Sequence, residues 1–97
     1  MNRAAPVVRL RSCPSISWTT DRRCTLVVNE ARSEVVRLTG VPETVWGCLV
    51  LEFPYARIQK IVAQLRNISA AAAGDEIDHL LREWQELGLL EKEVRPG

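Results

Sequence analysis

The sequence predicts one α+β domain of winged-helix-like build: a three-stranded antiparallel sheet followed by three helices. Three observations predict it. Short runs rich in β-branched residues, separated by polar turns, fill residues 16–38. Apolar residues then recur at helical spacing through residues 41–87. The 97 residues, 46% of them hydrophobic, suffice for one modest core.

Residues 1–14 contain Pro6 and Pro14 and show no clear period, so they are expected to form a flexible arm in which Val7–Leu10 is a candidate edge strand. Ile16–Thr19 reads as the first strand of the sheet, Cys24–Val28 as the second and Glu34–Leu38 as the third. Asp21-Arg22-Arg23 and Asn29-Glu30-Ala31-Arg32 are the turns, the second beginning on an asparagine that tolerates left-handed backbone. Loops this short permit only antiparallel hairpins, hence a meander. Three short strands cannot close a barrel, so one face must be covered.

The helices supply the cover. Gly40 ends the sheet and Pro42 suits the first turn of a helix that runs to about Leu51, with Val41, Val45, Cys48 and Leu49 on one face. Phe53-Pro54 breaks it. Ile58, Ile61, Val62 and Leu65 mark a second helix over 55–65 at spacings i, i+3, i+4, i+7. Residues 66–73 are ambiguous: Ser69 is placed to cap a helix over the alanine run, and Gly74 weakens it. Ile77, Leu80, Leu81, Trp84 and Leu87 define a third helix that follows Gly74 and ends at Gly88. The charged tail is expected to fray. The domain is therefore expected over 15–91, between a flexible arm (1–14) and a flexible tail (92–97). Trp18 and Trp46 are both expected in the core.

Several kinds of chemistry lack their residues. Cys13, Cys24 and Cys48 form neither a C-x-x-C pair nor an even set, and read as small apolar side chains rather than ligands. His79, the one imidazole, falls on the polar side of the third helix, so a nucleophile would have no base beside it. The carboxylates around it read as a solvated surface rather than a cleft. No phosphate-binding glycine motif and no metal-ligand spacing occurs, so no enzyme activity, cofactor or metal is expected. No apolar run is long enough to span a membrane and no signal-peptide pattern opens the chain, so a cytoplasmic location is expected.

Charge bears on partners. Residues 1–40 carry seven arginines against Asp21, Glu30 and Glu34, whereas residues 41–97 carry six basic and nine acidic side chains. A winged-helix shape raises nucleic-acid binding as the alternative function. A recognition helix for DNA should be basic. Here it holds Asp75, Glu76, Asp78, Glu83 and Glu86 against Arg82, which disfavours nucleic acid as a partner. The other use of the shape is the sheet edge. Glu34–Leu38 contains no proline to block pairing and would accept an extended peptide by strand addition, with a helix beside it supplying pockets.

Three segments carry a resemblance. They are the two strands and turn of Leu26–Leu38, the helix start V-P-E-T-V-W (Val41–Trp46), and the ending I-D-H-L-L-R-E-W-Q-E-L-G-L-L (Ile77–Leu90). In order and spacing, with Ala56–Leu65 between them, they resemble the PqqD-like family of recognition elements for ribosomally synthesised, post-translationally modified peptides. The chain departs from that pattern at Trp84, where leucine is common, and at Leu51-Glu52-Phe53, which replaces an Asp-Gly. The resemblance implies a non-catalytic domain that binds the leader segment of a precursor peptide and presents it to a modifying enzyme, such as a radical SAM protein, or to a leader peptidase. It implies that the leader adds to the third strand, with Glu34, Val35, Val36, Arg37 and Leu38 offering backbone groups. Asp78, Leu81, Arg82 and Gln85 would then line the helix side of the groove.

Overall fold

The computed structural model describes the backbone of residues 7–95 and the side chains of residues 12–91. Its elements are β1 (Val7–Ser12), β2 (Ile16–Thr20), β3 (Thr25–Asn29), β4 (Glu34–Leu38), α1 (Val41–Val50), α2 (Tyr55–Arg66), α3 (Ala70–Glu86) and β5 (Leu90–Arg95). The three-stranded antiparallel sheet followed by three helices is the α+β arrangement expected from the sequence.

The sheet has the order β2-β3-β4, with Trp18 opposite Val27 and Val27 opposite Val36. Strand alternation turns Thr25, Val27 and Asn29 into the core, and all three are buried. Asp21 tightens the first turn: its Oδ1 accepts the backbone N–H groups of Arg23 and Cys24 at 2.7 and 3.0 Å. Those donors hold its carboxyl below the ordinary aspartate range. In the second turn it is Ser33, not Asn29, that takes the left-handed backbone, with φ of 53°. Asn29 stays in the strand and accepts the Arg32 N–H on its side chain.

Helix α1 begins after Gly40, whose φ is 67°, with Pro42 in its first turn. Thr25 Oγ1 donates to Glu43 Oε2 at 2.8 Å and ties the sheet to that first turn. Helix α2 ends on Asn67 in the left-handed conformation. Helix α3 is a full turn longer than the sequence suggests: it starts at Ser69, whose side chain accepts the Ala72 N–H, and passes through Gly74 unbroken. The reason is packing. An added Cβ at Gly74 would lie 3.0 Å from Gln59 Nε2 and 3.2 Å from the Tyr55 hydroxyl, so the missing side chain lets α2 close against α3. Gly88 ends α3 as expected. Its N–H reaches Gln85 O and that of Leu89 reaches Trp84 O, a Schellman closure at φ of 75°.

The ends of the chain depart from expectation. Val7–Ser12 and Leu90–Arg95 pair antiparallel, from Val7 opposite Arg95 to Ser12 opposite Leu90, as a separate two-stranded sheet. Strand β1 is thus an edge strand as Val7–Leu10 suggested, and six residues of the expected arm and four of the expected tail lie in this ladder. Val7–Leu10 alone hints at a strand, whereas the charged Leu90–Arg95 does not; each has its partner about eighty residues away in sequence. The rest of the two expected flexible segments, 1–6 and 96–97, lies outside the described residues.

The core joins both layers. Val27, Val45, Val62, Ala73, Ile77 and Leu89 are fully enclosed, and Trp46 and Trp84 nearly so. Trp46 is edge-on to Trp18 on one side (centroids 5.8 Å) and to Trp84 on the other (5.4 Å). Trp46 is core as expected. Trp18 is not: it remains 39% exposed at the sheet edge.

Candidate functional site

Two features of this frame can hold a ligand. The first is the outer edge of β4, which pairs only with β3 among the described residues. In an antiparallel strand alternate residues turn their N–H and C=O groups outward, so such an edge is a template for one more strand. Glu34, Val35 and Arg37 are exposed, Val36 is half-buried against the core and Leu38 is buried. Leu38 therefore offers backbone only. Val35 lies on the outer sheet face beside Val28, its register partner, and is 62% exposed.

The second feature is a cleft of about 670 Å³ at the opposite side of the sheet. Its walls come from Ser12 and Trp18, from the end of α1 (Leu49, Val50), from the connection Glu52-Phe53-Pro54, from Tyr55 and Ile58 of α2, and from Ile77, Asp78 and Leu81 of α3. Trp46 and Leu90 complete the floor. The volume falls in the range of roughly 300–1,000 Å³ usual for ligand clefts, and apolar lining with a few polar groups is their common make-up.

The polar groups are ordered. The Tyr55 hydroxyl lies 2.8 Å from Asp78 Oδ1 and 3.1 Å from Gly74 O. Burial, the hydrogen bond to Asp78 and the charges of Asp78 and Asp75 push its pKa up to about 12. The Arg57 guanidinium stacks over the Phe53 ring, 3.9 Å from its centroid. Glu52 holds φ of 60°. This is where the sequence pattern departs from an Asp-Gly, and a glycine would adopt that geometry without the cost a side chain incurs. Among the described residues, Trp46 Nε1 is buried without a hydrogen-bond partner.

The expected site residues divide between these features. Asp78 and Leu81 line the cleft; Arg82 is exposed beyond it, and Gln85 folds back to donate to Leu81 O at 3.2 Å. None of Glu34, Val35, Val36, Arg37 or Leu38 borders the cleft, so the expected strand and two of the expected helix residues belong to different places. Trp18, expected in the core, lines the cleft with an exposed side chain, as do Val50 and Tyr55, which the sequence pattern did not mark as site residues. The aromatic cluster Phe53-Pro54-Tyr55 at a helix break was the available signal. His79 is exposed, and among the described residues no group of three His, Cys, Asp or Glu side chains is placed to hold a metal. No helix among the described residues is long and apolar enough to cross a membrane.

Neither a family profile nor a curated protein sequence matches the chain. Among solved structures, the fold is similar to that of a lasso peptide synthetase B1 complexed with the leader peptide. The TM-score is 0.75 at 18% identity, over 87% of this chain and 96% of that one. The likeness extends through both layers of the fold, since 87% coverage exceeds what the meander and helices alone would occupy.

Proposed function

We propose that this protein is a non-catalytic recognition domain that captures the leader segment of a ribosomally made precursor peptide and presents it to a modifying enzyme or leader peptidase. The observation that carries the proposal is the shared fold with a synthetase B1 that holds a leader peptide, combined here with a β4 edge that is unpaired among the described residues. In this reading the leader lies along β4 as a fourth strand. Backbone bonds to Glu34–Leu38 supply affinity and pockets between sheet and helices supply selectivity. The domain proper would span 15–91. Its partner enzyme, a radical SAM protein or a peptidase, would act on the segment that the domain leaves free.

Fluorescence polarisation tests this with labelled overlapping peptides covering the short open reading frames beside the gene. Saturable binding is expected. Because neighbouring strand residues point their N–H groups to opposite sides, one of Val35→Pro and Val36→Pro removes an outward donor and leaves the β3 ladder intact. The variant that keeps the native circular dichroism spectrum should lose binding by about tenfold or more, the worth of one or two lost hydrogen bonds. Unchanged affinity in that variant would rule out strand addition at β4.

A further inference from the structure

We infer that the cleft beneath β2 is a second anchor point for the captured peptide, taking one large apolar side chain whose neighbour in the peptide is a lysine or arginine. This rests on the capture reading and adds to it a site that the β4 edge does not include. Three exposed apolar or aromatic side chains, Trp18, Val50 and Tyr55, converge at the mouth of the cleft, each about two-fifths exposed. Single exposed apolar residues are ordinary, but a cluster rimming an apolar cavity marks a contact surface.

Charge selects the occupant. Asp78 stands at the mouth with Oδ1 fixed by the Tyr55 hydroxyl, and its other oxygen has no partner among the described residues. It belongs to a helix with five carboxylates and Arg82 as its one cation. A cationic side chain completes that carboxylate; an acidic peptide is repelled by it. Tyr55 and Trp18 line the same cleft and add aromatic rings near that cation.

Geometry makes this a separate contact. The sheet places β3 between β4 and β2, so the two outer edges stand about 10 Å apart at the usual strand spacing. The segment in the cleft is therefore not the segment that pairs with β4. Beside the cleft, β2 has an outer edge unpaired among the described residues, along which an extended chain sends every second side chain to the Trp18 face. Two linked contacts, each weak, give a combined affinity well above either alone.

The test is a double-mutant cycle read by calorimetric titration of the full chain with the tightest of the overlapping peptides. Val50→Lys puts a cation at the mouth from the last turn of α1, where the helix dipole favours it. It should weaken binding about tenfold while leaving the melting temperature unchanged. Asp78→Asn should weaken binding about fivefold, and that loss should vanish for a peptide whose lysine or arginine is replaced by alanine. If both variants bind as the unaltered protein does while the β4 proline variant does not, the cleft is no anchor and the capture reading stands alone. If Asp78→Asn and the peptide substitution are additive, the assigned cation contact is wrong. If no peptide binds the unaltered protein, the capture reading fails and this inference with it.

Discussion

Trp46 joins the sheet, the cleft and α3, and its replacement separates two contributions of opposite sign. Its ring is 2% exposed and meets Trp18 and Trp84 edge-on. Truncating a buried tryptophan to alanine costs about 3–5 kcal/mol from lost transfer energy and the cavity left behind. Each edge-on aromatic pair adds about 0.5–1.5 kcal/mol. Trp46→Ala should therefore cost about 4–8 kcal/mol, against a total of about 5–15 kcal/mol for a domain of this size. Trp46→Phe behaves differently. It keeps most of the ring and removes Nε1, a buried donor with no acceptor among the described residues, whose burial costs about 1–3 kcal/mol. The smaller ring leaves a small void that costs about the same, so the net change should stay within about 1 kcal/mol of zero. Urea unfolding followed by far-ultraviolet circular dichroism measures both, because tryptophan emission itself changes in these variants. The two variants should share the slope of the unaltered protein and differ in midpoint. If Trp46→Phe costs as much as Trp46→Ala, the indole N–H makes a bond that this reasoning denies.

Other consequences are open to direct measurement. Tyr55 is the one tyrosine of the chain, so its phenolate can be titrated by absorbance without interference from another. The midpoint should lie near about 12 in the folded protein and near 10.0 in urea, and Asp78→Asn should lower the folded value. A pKa raised by folding means that the associated stability is complete below the unfolded value of 10.0 and is lost as pH rises through the folded value. Ser69→Ala should cost about 1 kcal/mol, read as a lowered melting temperature, because it removes the cap that accepts the Ala72 N–H. Gly88→Ala should cost more than about 1 kcal/mol by the same assay. It forces a side chain to φ of 75° and places a Cβ 3.1 Å from the Arg32 guanidinium carbon. On heparin at low salt the protein should not be retained, since the exposed face of α3 is acidic; retention that falls steeply with salt would favour a nucleic-acid partner.

The meander and the helix order could be read from the sequence because each rests on a local signal. Period-two runs bounded by Asp21 and Asn29 mark the strands, and Pro42, Pro54 and Gly88 mark helix ends. The errors arise where a distant partner decides. Gly74 reads as a helix breaker until Tyr55 and Gln59 are seen to use the space it leaves. Val7–Ser12 reads as an arm until Leu90–Arg95 is placed beside it. The residues expected in the site fall in two places. Asp78 and Leu81 do line a cleft, but which strand they face depends on how α3 crosses the sheet, and periodicity does not encode that. Trp18 shows the same limit: in a strand, a large aromatic on the inward face predicts core, and only the edge position of β2 leaves it at a cleft mouth.

Amide hydrogen exchange, recorded residue by residue with and without a saturating leader peptide, tests peptide capture at the sheet edge most directly. Strand addition converts outward N–H groups from water-bonded to ladder-bonded. The account predicts slowed exchange at alternate residues of Glu34–Leu38, with the intervening amides, already bonded to β3, little changed. Tight peptide binding that leaves every amide of β4 exchanging as in the free protein would contradict it.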